Sequence, residues 1–535
     1  MPEYYEFDCG CKVKIIDDKI KDYDGLPSMD IDYENLNLDC PVAWDLLSSG
    51  KTRGVFQLET PLGMSWAKKL EPDSIEELAA LGAILRPGCL KSKLDNKSMT
   101  QHYVDRKHGL DQYKDIDHNI SDIMIETHGI MVYQEQSMRI VQRLAGFDLK
   151  QADTLRKSTG KKDAALMAKV RVEFIEGCKK TGLIDNEKAN LIFDMIQASA
   201  RYQFNASHSF SYSIIGYWTA WLKSHFPLAF FSSWLSFSDK DDVGDFINDS
   251  KEFDVDIRNP SILLENENFK IVDGKVYCGI GNIKGVGETT AIKTLNIIKE
   301  LQEEVGKELK DFSWIEVLIL LTPRLTKTTV INLIAAGAFS HLNIYRKRMM
   351  FEYNQLSSLT GKKEIPFLAD NIQVIKSLDD GVQKLILSGT PTKSRMQKIE
   401  SCYKTLTDKS FTTIDDENWV SSIEEELIGG SLSCSKLDVC DTTCGDTTCS
   451  QFLNKDTDKK INIACQVDRV SLYTPKNGKK MIYVTVKDAT GSVEAVVFSD
   501  NVEKVESILY KGNTVCITGK KTQKGSLSIY DAIQI

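Results

Sequence analysis

At 535 residues, with 42% hydrophobic and 27% charged side chains, the chain has the make-up of ordinary globular protein and the length of about three or four domains. No apolar run nears the about 18 residues of a membrane span, and the acidic, aromatic start MPEYYEFD is wrong for a secretory or transit leader. The net charge of −9 excludes a basic coat over the whole surface, so any nucleic-acid face must be local, and thirteen cysteines in no regular framework read as reduced thiols of a cytoplasmic protein.

Residues 1–45 hold two candidate metal constellations. Cys9-Gly10-Cys11 with Cys40 lacks paired C-x2-C spacing and reads as incidental thiols, as do Cys434, Cys440, Cys444 and Cys449. PSMDIDYEN at 27–35 offers Asp30 and Asp32 as a carboxylate pair. From about 40 to 235 the texture is helical. DSIEELAALGAILRPG has Asp73 or Ser74 as N-cap, apolar Leu78, Leu81 and Leu85, and a stop at Pro87-Gly88. Further helices are expected over about 163–181 and 186–200. The second leads into SARYQFNASHSFSYS (199–213), too polar for a core strand and too aromatic for an ordinary loop. An aromatic helical segment follows from Tyr212, broken at Pro227. Short strands and helices alternate over 245–345, and the Ser-, Thr-, Asp- and Lys-rich stretch 355–455 reads as linkers.

From 460 the hydrophobic period becomes two. Five strands, a hairpin turn at PKNG and a helix near 500–510 between the third and fourth strands give the order of an oligonucleotide-binding OB barrel, with another small β-barrel as the alternative from pattern alone. Tyr473 and Tyr483 are candidates for base stacking there, and Lys476, Lys479 and Lys480 for backbone contact.

Several motifs suit phosphate. GIGNIKGVGE sets Gly285-Val286-Gly287 ahead of a helix, so that backbone N–H groups and the helix N-terminus can meet a DNA backbone, as in a helix-hairpin-helix. INLIAAGAF at 331–339, followed by Arg346, Lys347 and Arg348, resembles a second such unit. Between Lys150 and Lys180 nine Lys or Arg face four Asp or Glu. Within that run TLRKSTGKK gathers Arg156, Lys157, Lys161 and Lys162 around a flexible Gly160, suited to a triphosphate or template backbone. GVFQLE, LRPG with Arg86, YVDRKHG with Arg106 and Lys107, and IMVYQEQ are dense in groups a multi-point DNA surface would use.

GVFQLE, LRPG, DRKHG, YQEQ, AD-x-LRK-x-x-GKK, YQFNASHS and GIGNIKGVGE, in that order, resemble the bacterial replicative DNA polymerase III alpha subunits of family C. EEELIGGSLS (424–433) is similar to their lead-in to the OB-fold. The resemblance implies a multidomain α+β chain: a post-palm lead-in (1–45), mainly helical fingers (46–240), a tandem helix-hairpin-helix region (241–350), a linker (351–458) and a five-stranded OB barrel (459–535). It implies an incoming-nucleotide pocket lined by Tyr202, Phe204, Asn205 and His208, with Arg156, Lys157, Lys161 and Lys162 at the triphosphate. Gln203 and Ala206 depart from the family's Gly and Lys.

The family's catalytic aspartates lie in a palm ahead of everything matched, and Asp30 and Asp32 run into the fingers with no room for one. The expected activity is therefore template-directed DNA synthesis completed by a palm-bearing subunit, with Mg²⁺ held by that partner, no catalytic residue in this chain, and primer-template DNA and dNTPs as ligands. A sliding clamp is a further expected partner through NQLSSL (354–359), and the length and start are similar to a polymerase split between genes, as in some bacterial viruses. The competing reading is an accessory protein that binds DNA and has no nucleotide pocket.

Overall fold

The computed structural model describes residues 4–21, 27–161, 164–359, 363–411, 413–438, 440–452, 455, 459–475, 478–488, 490–522 and 525–535. The chain divides into two compact units, Met1–Phe230 and Phe231–Ile535.

In the first unit, Tyr4–Glu6, Lys12–Lys21 and Pro27–Asp30 form a three-stranded antiparallel sheet in chain order. The turn between the first two strands is tight: Phe7 N–H donates to Cys11 O at 2.9 Å and Gly10 N–H to Phe7 O at 2.8 Å. Gly10 sits there at φ +83°, a conformation that costs glycine nothing.

The helices follow from caps and apolar spacing. Ser74 rather than Asp73 caps Ile75–Ile84, accepting from Glu77 N–H. Arg86 is extended, as a residue before proline must be, and Pro87 opens a new short helix, Pro87–Lys91, instead of ending the segment in a loop. Gln134–Ala145, Leu149–Lys161, Ala164–Thr181 and Asn186–Ser199 close on one core containing Ile140, Leu144, Leu155, Phe174 and Phe193. Leu149–Lys161 runs through Gly160, so the expected flexible glycine is helical.

Ala206–His225 is the long helix of this unit. Ser209, Ser213, Gly216 and Ala220 make a small-residue face, which lets it lie close to Ile75–Ile84, with Ser209 Oγ donating to Ala79 O at 2.6 Å. Lys223 is fully buried, and its ammonium donates to the carbonyls of Lys51 and Arg53 at 2.9 and 2.8 Å. Pro227 ends the helix, as its missing N–H requires.

In the second unit a small sheet of Ile257–Arg258, Lys270–Val272 and Lys275–Tyr277 precedes the helices Gly287–Val305 and Lys327–Ala335. Residues 351–458 are not the expected linker. They hold the end of Arg346–Ser358, then Glu364–Asp370, Leu378–Leu387, Lys393–Thr407 and Glu417–Ile428. Ser377 and Asp416 cap two of these helices with their side chains, and Leu378, Val382, Leu385 and Ile399 are buried.

The C-terminal strands close a barrel as the period-two pattern requires. Lys460–Tyr473 pairs antiparallel with Met481–Asp488 and with Thr514–Lys521. Gly491–Val497 pairs with Met481–Asp488 and, in parallel, with Leu527–Gln534, which returns to Thr514–Lys521. Ile463, Cys465, Val467, Val484, Val497, Ile517 and Ile529 fill it, and the helix Ser499–Val505 packs Val502 and Val505 against one end. Among the described residues no helix is long and apolar enough to cross a membrane.

Candidate functional site

The stretch 202–212 builds a ladder of rings on the first turns of Ala206–His225. Residues four apart on a helix face each other, and here the series begins one residue before the cap. The guanidinium of Arg86 lies over the Phe204 ring, 3.3 Å from its centre. Phe204 meets His208 edge-on at 5.3 Å, His208 overlaps Tyr212 at 4.0 Å, and Tyr212 meets Phe56 of GVFQLE at 5.3 Å. His208 and Arg86 are exposed, whereas Phe204 and Tyr212 are half-buried. The result is a stepped run of a cation and tilted rings, with Arg86 and His208 open to a ligand.

The backbone beneath is fixed by the YQEQ segment. Phe204 forms an isolated parallel bridge with Tyr133: its N–H donates to Val132 O, and its carbonyl accepts from Gln134 N–H, both at 2.9 Å. Glu135 takes Asn205 Nδ2 at 2.8 Å and Ala206 N–H at 3.0 Å, while Asn205 Oδ1 caps the helix through His208 N–H at 2.8 Å. Asn205 is thus held as a positioning group, its amide occupied on both sides. Gln136 is buried and bonds Val132 N–H, Tyr133 N–H, Ile123 O and Thr127 Oγ1. Gln203 donates to Ser137 and Ser199 hydroxyls at 2.6 and 2.9 Å, so this departure from the resembled pattern serves as an anchor. Tyr202 packs on the LRPG turn, where a Cβ at Gly88 would stand 2.7 Å from its own Cβ, and burial pushes its hydroxyl pKa well up.

The cations divide into two groups. Arg156 and Lys157 are partly exposed on Leu149–Lys161, and both pair with Asp153, at 2.8 and 2.7 Å. Lys161 ends that helix, and Lys162 lies outside the described residues. Arg106 and Lys107 are not the free DNA contacts expected. Arg106 donates to Asp111 and to His128 O, and Lys107 to Glu71 O and Glu77, with only 12% and 13% of their side chains exposed. Their donors tie the last turn of the helix Met99–Lys107 to neighbouring segments instead of facing outward.

Asp30 ends a strand and Asp32 caps its own turn, accepting from Glu34 N–H, Asn35 N–H and Asn35 Nδ2. With its oxygens taken by that turn, Asp32 does not fit a two-metal clamp. A different group does converge: Cys9, Cys11, Cys40 and His225. The reading of these cysteines as incidental missed it because His225 is 216 residues from Cys9, beyond any local spacing. Glu135 and Tyr212 were also missed, although helical spacing from His208 does point to Tyr212.

In the second unit Gly285 and Gly287 take φ +81° and +68° on either side of buried Val286. A Cβ at Gly285 would sit 2.8 Å from Asn332 Nδ2, which donates to Lys284 O. A Cβ at Gly287 would meet nothing within 4 Å, so the N-terminus of Gly287–Val305 is open to an approaching phosphate. The second helix-hairpin-helix candidate, 331–348, differs. Asp415 accepts from the backbone N–H groups of Arg346 and Lys347, taking the place a phosphate would occupy, and Arg346 is bonded to buried Glu424. NQLSSL lies at the end of a helix with Leu356 and Leu359 buried, so it cannot be offered to a clamp as an exposed peptide.

On the barrel, Tyr473 and Tyr483 stand side by side on adjacent strands, ring centres 6.1 Å apart and each about half exposed. Lys479 and Lys480 follow the same hairpin, while Lys476 is outside the described residues.

Residues 12–182 match the model of the bacterial DNA polymerase III alpha subunit finger domain, 254–349 a helix-hairpin-helix motif, and 461–530 an OB-fold nucleic acid binding domain. The chain is similar to DNA polymerase III subunit alpha of Aquifex aeolicus, 31% identical over 95% of this chain and 39% of that protein. It is likewise similar to those of Pseudomonas aeruginosa (31%; 93% and 42%) and Escherichia coli (30%; 93% and 41%). It thus spans about two fifths of the length of these relatives.

Proposed function

From a chain that carries, in order, the fingers, helix-hairpin-helix and OB-fold domains of a family C polymerase alpha-like protein, we propose that it supplies the incoming-dNTP surface and the DNA grip for template-directed DNA synthesis. The observation that carries this is the ladder of Arg86, Phe204, His208 and Tyr212 on a helix end locked by Glu135. A protein that only held DNA would have no need of a preorganised cation–ring surface beside its helical core. The exposed imidazole and guanidinium suit the sugar and phosphates of a nucleotide, with Arg156 and Lys157 as candidates for the triphosphate and the rings for the base. Two Mg²⁺ ions would polarise the phosphate and lower the pKa of the primer hydroxyl. Their carboxylates belong to a palm outside these 535 residues, and this chain's part is to bind, orient and exclude water.

Fluorescent dNTP titration of the full chain, with primer-template DNA bound, tests the reading. Arg86→Ala and Phe204→Ala should each weaken dNTP binding about tenfold, the scale of one desolvated cation–ring contact. Arg106→Ala should act through stability alone. Unchanged dNTP affinity in folded Arg86→Ala and Phe204→Ala would favour the accessory, DNA-holding reading. Primer extension restored by adding a palm-bearing polypeptide would then separate assembly from binding.

A further inference from the structure

We propose that Cys9, Cys11, Cys40 and His225 form a structural zinc site that fastens the N-terminal hairpin to the far end of the helix Ala206–His225. The four ligand atoms all lie within 4.8 Å of one another. Three of them form a tight triangle, with 3.7 Å between Cys9 Sγ and Cys40 Sγ, 3.7 Å between Cys40 Sγ and His225 Nε2, and 3.2 Å between Cys9 Sγ and His225 Nε2. Zn–S bonds of about 2.3 Å and Zn–N bonds of about 2.0–2.1 Å, arranged tetrahedrally, require edges of about 3.5–3.8 Å. Cys9, Cys40 and His225 therefore need only a few tenths of an ångström of movement to meet those edges, and Cys11 Sγ, within 4.8 Å of all three, needs at most about 1 Å. Three sulfurs and one imidazole form a closed set with no position left for substrate, which is the composition of a structural zinc centre.

Each ligand is delivered by its own backbone device. Gly10 turns the chain so that Cys9 and Cys11 can both serve, within the Phe7–Cys11 turn already closed by two hydrogen bonds. Cys40 is the N-cap of Pro41–Ser49, and its own N–H donates to Tyr217 Oη at 3.0 Å. His225 is the last residue of its helix. Its Nδ1 lies 2.9 Å from Trp221 O, so the proton resides on Nδ1 and the Nε2 lone pair faces the sulfurs. Trp221 Nε1–H points at Cys11 Sγ at 3.5 Å, a donor aimed at sulfur. Rings of Phe7, Trp221 and Phe226 enclose the group, and Cys11 and Cys40 are buried.

Without a metal, this arrangement would collect three thiols and an imidazole in an apolar pocket for no evident gain. With one, residues 9–11 are tied to a helix that begins more than 190 positions later. Asn205 caps the opposite end of that 20-residue helix, about 30 Å away. The ion would thus be remote from the ring ladder, and the proposal holds whatever that ladder binds.

The full chain, produced without a polyhistidine tag in zinc-supplemented medium and purified without chelator, should contain about one zinc by plasma mass spectrometry. Mercurial titration should release that equivalent, and cobalt exchange should give the intense thiolate-to-metal absorption of a tetrahedral site. Cys40→Ser should abolish the binding and His225→Cys should keep it, while Cys434→Ser with Cys444→Ser should leave it at one equivalent. A folded wild-type chain with well under a tenth of an equivalent would overturn the proposal. So would zinc retained in Cys9→Ser/Cys40→Ser, or a Cys9–Cys40 disulfide found by mass spectrometry under alkylating, non-reducing conditions.

Discussion

Asp111 accepts from the imidazole of His102 at 2.6 Å and from Arg106 Nε at 3.3 Å. Those two partners, His102 foremost, hold its carboxyl below the usual carboxylate range. A carboxylate favoured in the folded state contributes stability above its unfolded pKa of about 3.9 and loses it as pH falls through the lower folded value. Asp111→Asn should therefore lower the urea midpoint of the full chain at neutral pH, and its gap from wild type should close below about pH 4. An equal gap at both pH values would mean that packing, not charge, is what Asp111 supplies. This explains why the basic motif YVDRKHG misleads as a DNA contact. Sequence reveals that charges are dense there but not that Asp111, Glu77 and the carbonyls of Glu71 and His128 already meet them.

At the scale of elements, Glu424 connects four segments of the second unit. It is fully buried, and its oxygens accept from Arg346 at 2.8 Å, Asn259 Nδ2 at 2.6 Å, Leu432 N–H at 2.7 Å, Ser433 N–H at 2.8 Å and Ser433 Oγ at 2.5 Å. EEELIGGSLS was legible as a family signature, yet the work done by its first glutamate was not, because its partners lie up to 165 residues away. Removing one partner of a buried pair leaves the other charge unmet and costs about 3–5 kcal/mol. Arg346→Ala should show this loss in denaturant unfolding of the full chain, and Arg346→Ala with Glu424→Leu should recover part of it. A double variant as unstable as the sum of both changes would exclude the pair as the source. The same contrast governs the rest of the fold. Helices with caps and a 3–4 apolar spacing, such as Ile75–Ile84, and the alternating barrel strands were readable because both patterns are local. Residues 351–458 were misread because the polar residues that mark a linker are the same ones that cap short helices. The ring ladder could be found from spacing, whereas the Cys–His cluster could not.

For the molecule as a whole, a net charge of −9 sets the terms of the proposed DNA binding. Long-range attraction is weak, so affinity must come from a few close phosphate contacts and from stacking. Several basic residues picked out by sequence, Arg106, Lys107 and Arg346, are already committed internally, which lowers the number of phosphates the chain can neutralise. The barrel face separates the two contributions. Tyr473 and Tyr483 offer exposed rings, and Lys480 lies on the same hairpin. Tyr483→Ala should weaken single-stranded DNA binding by about 1–3 kcal/mol, the value of one stacked base, without altering the dependence of log K on log salt. Lys480→Ala should do the reverse, with a small loss of affinity and a salt slope shallower by about one. Fluorescence anisotropy on a labelled oligonucleotide across a salt series reads both quantities from one experiment. A Tyr483→Ala variant that changes the slope, or binds as tightly as wild type, would remove the tyrosines from the interface and shift the single-strand contact to another face of the barrel.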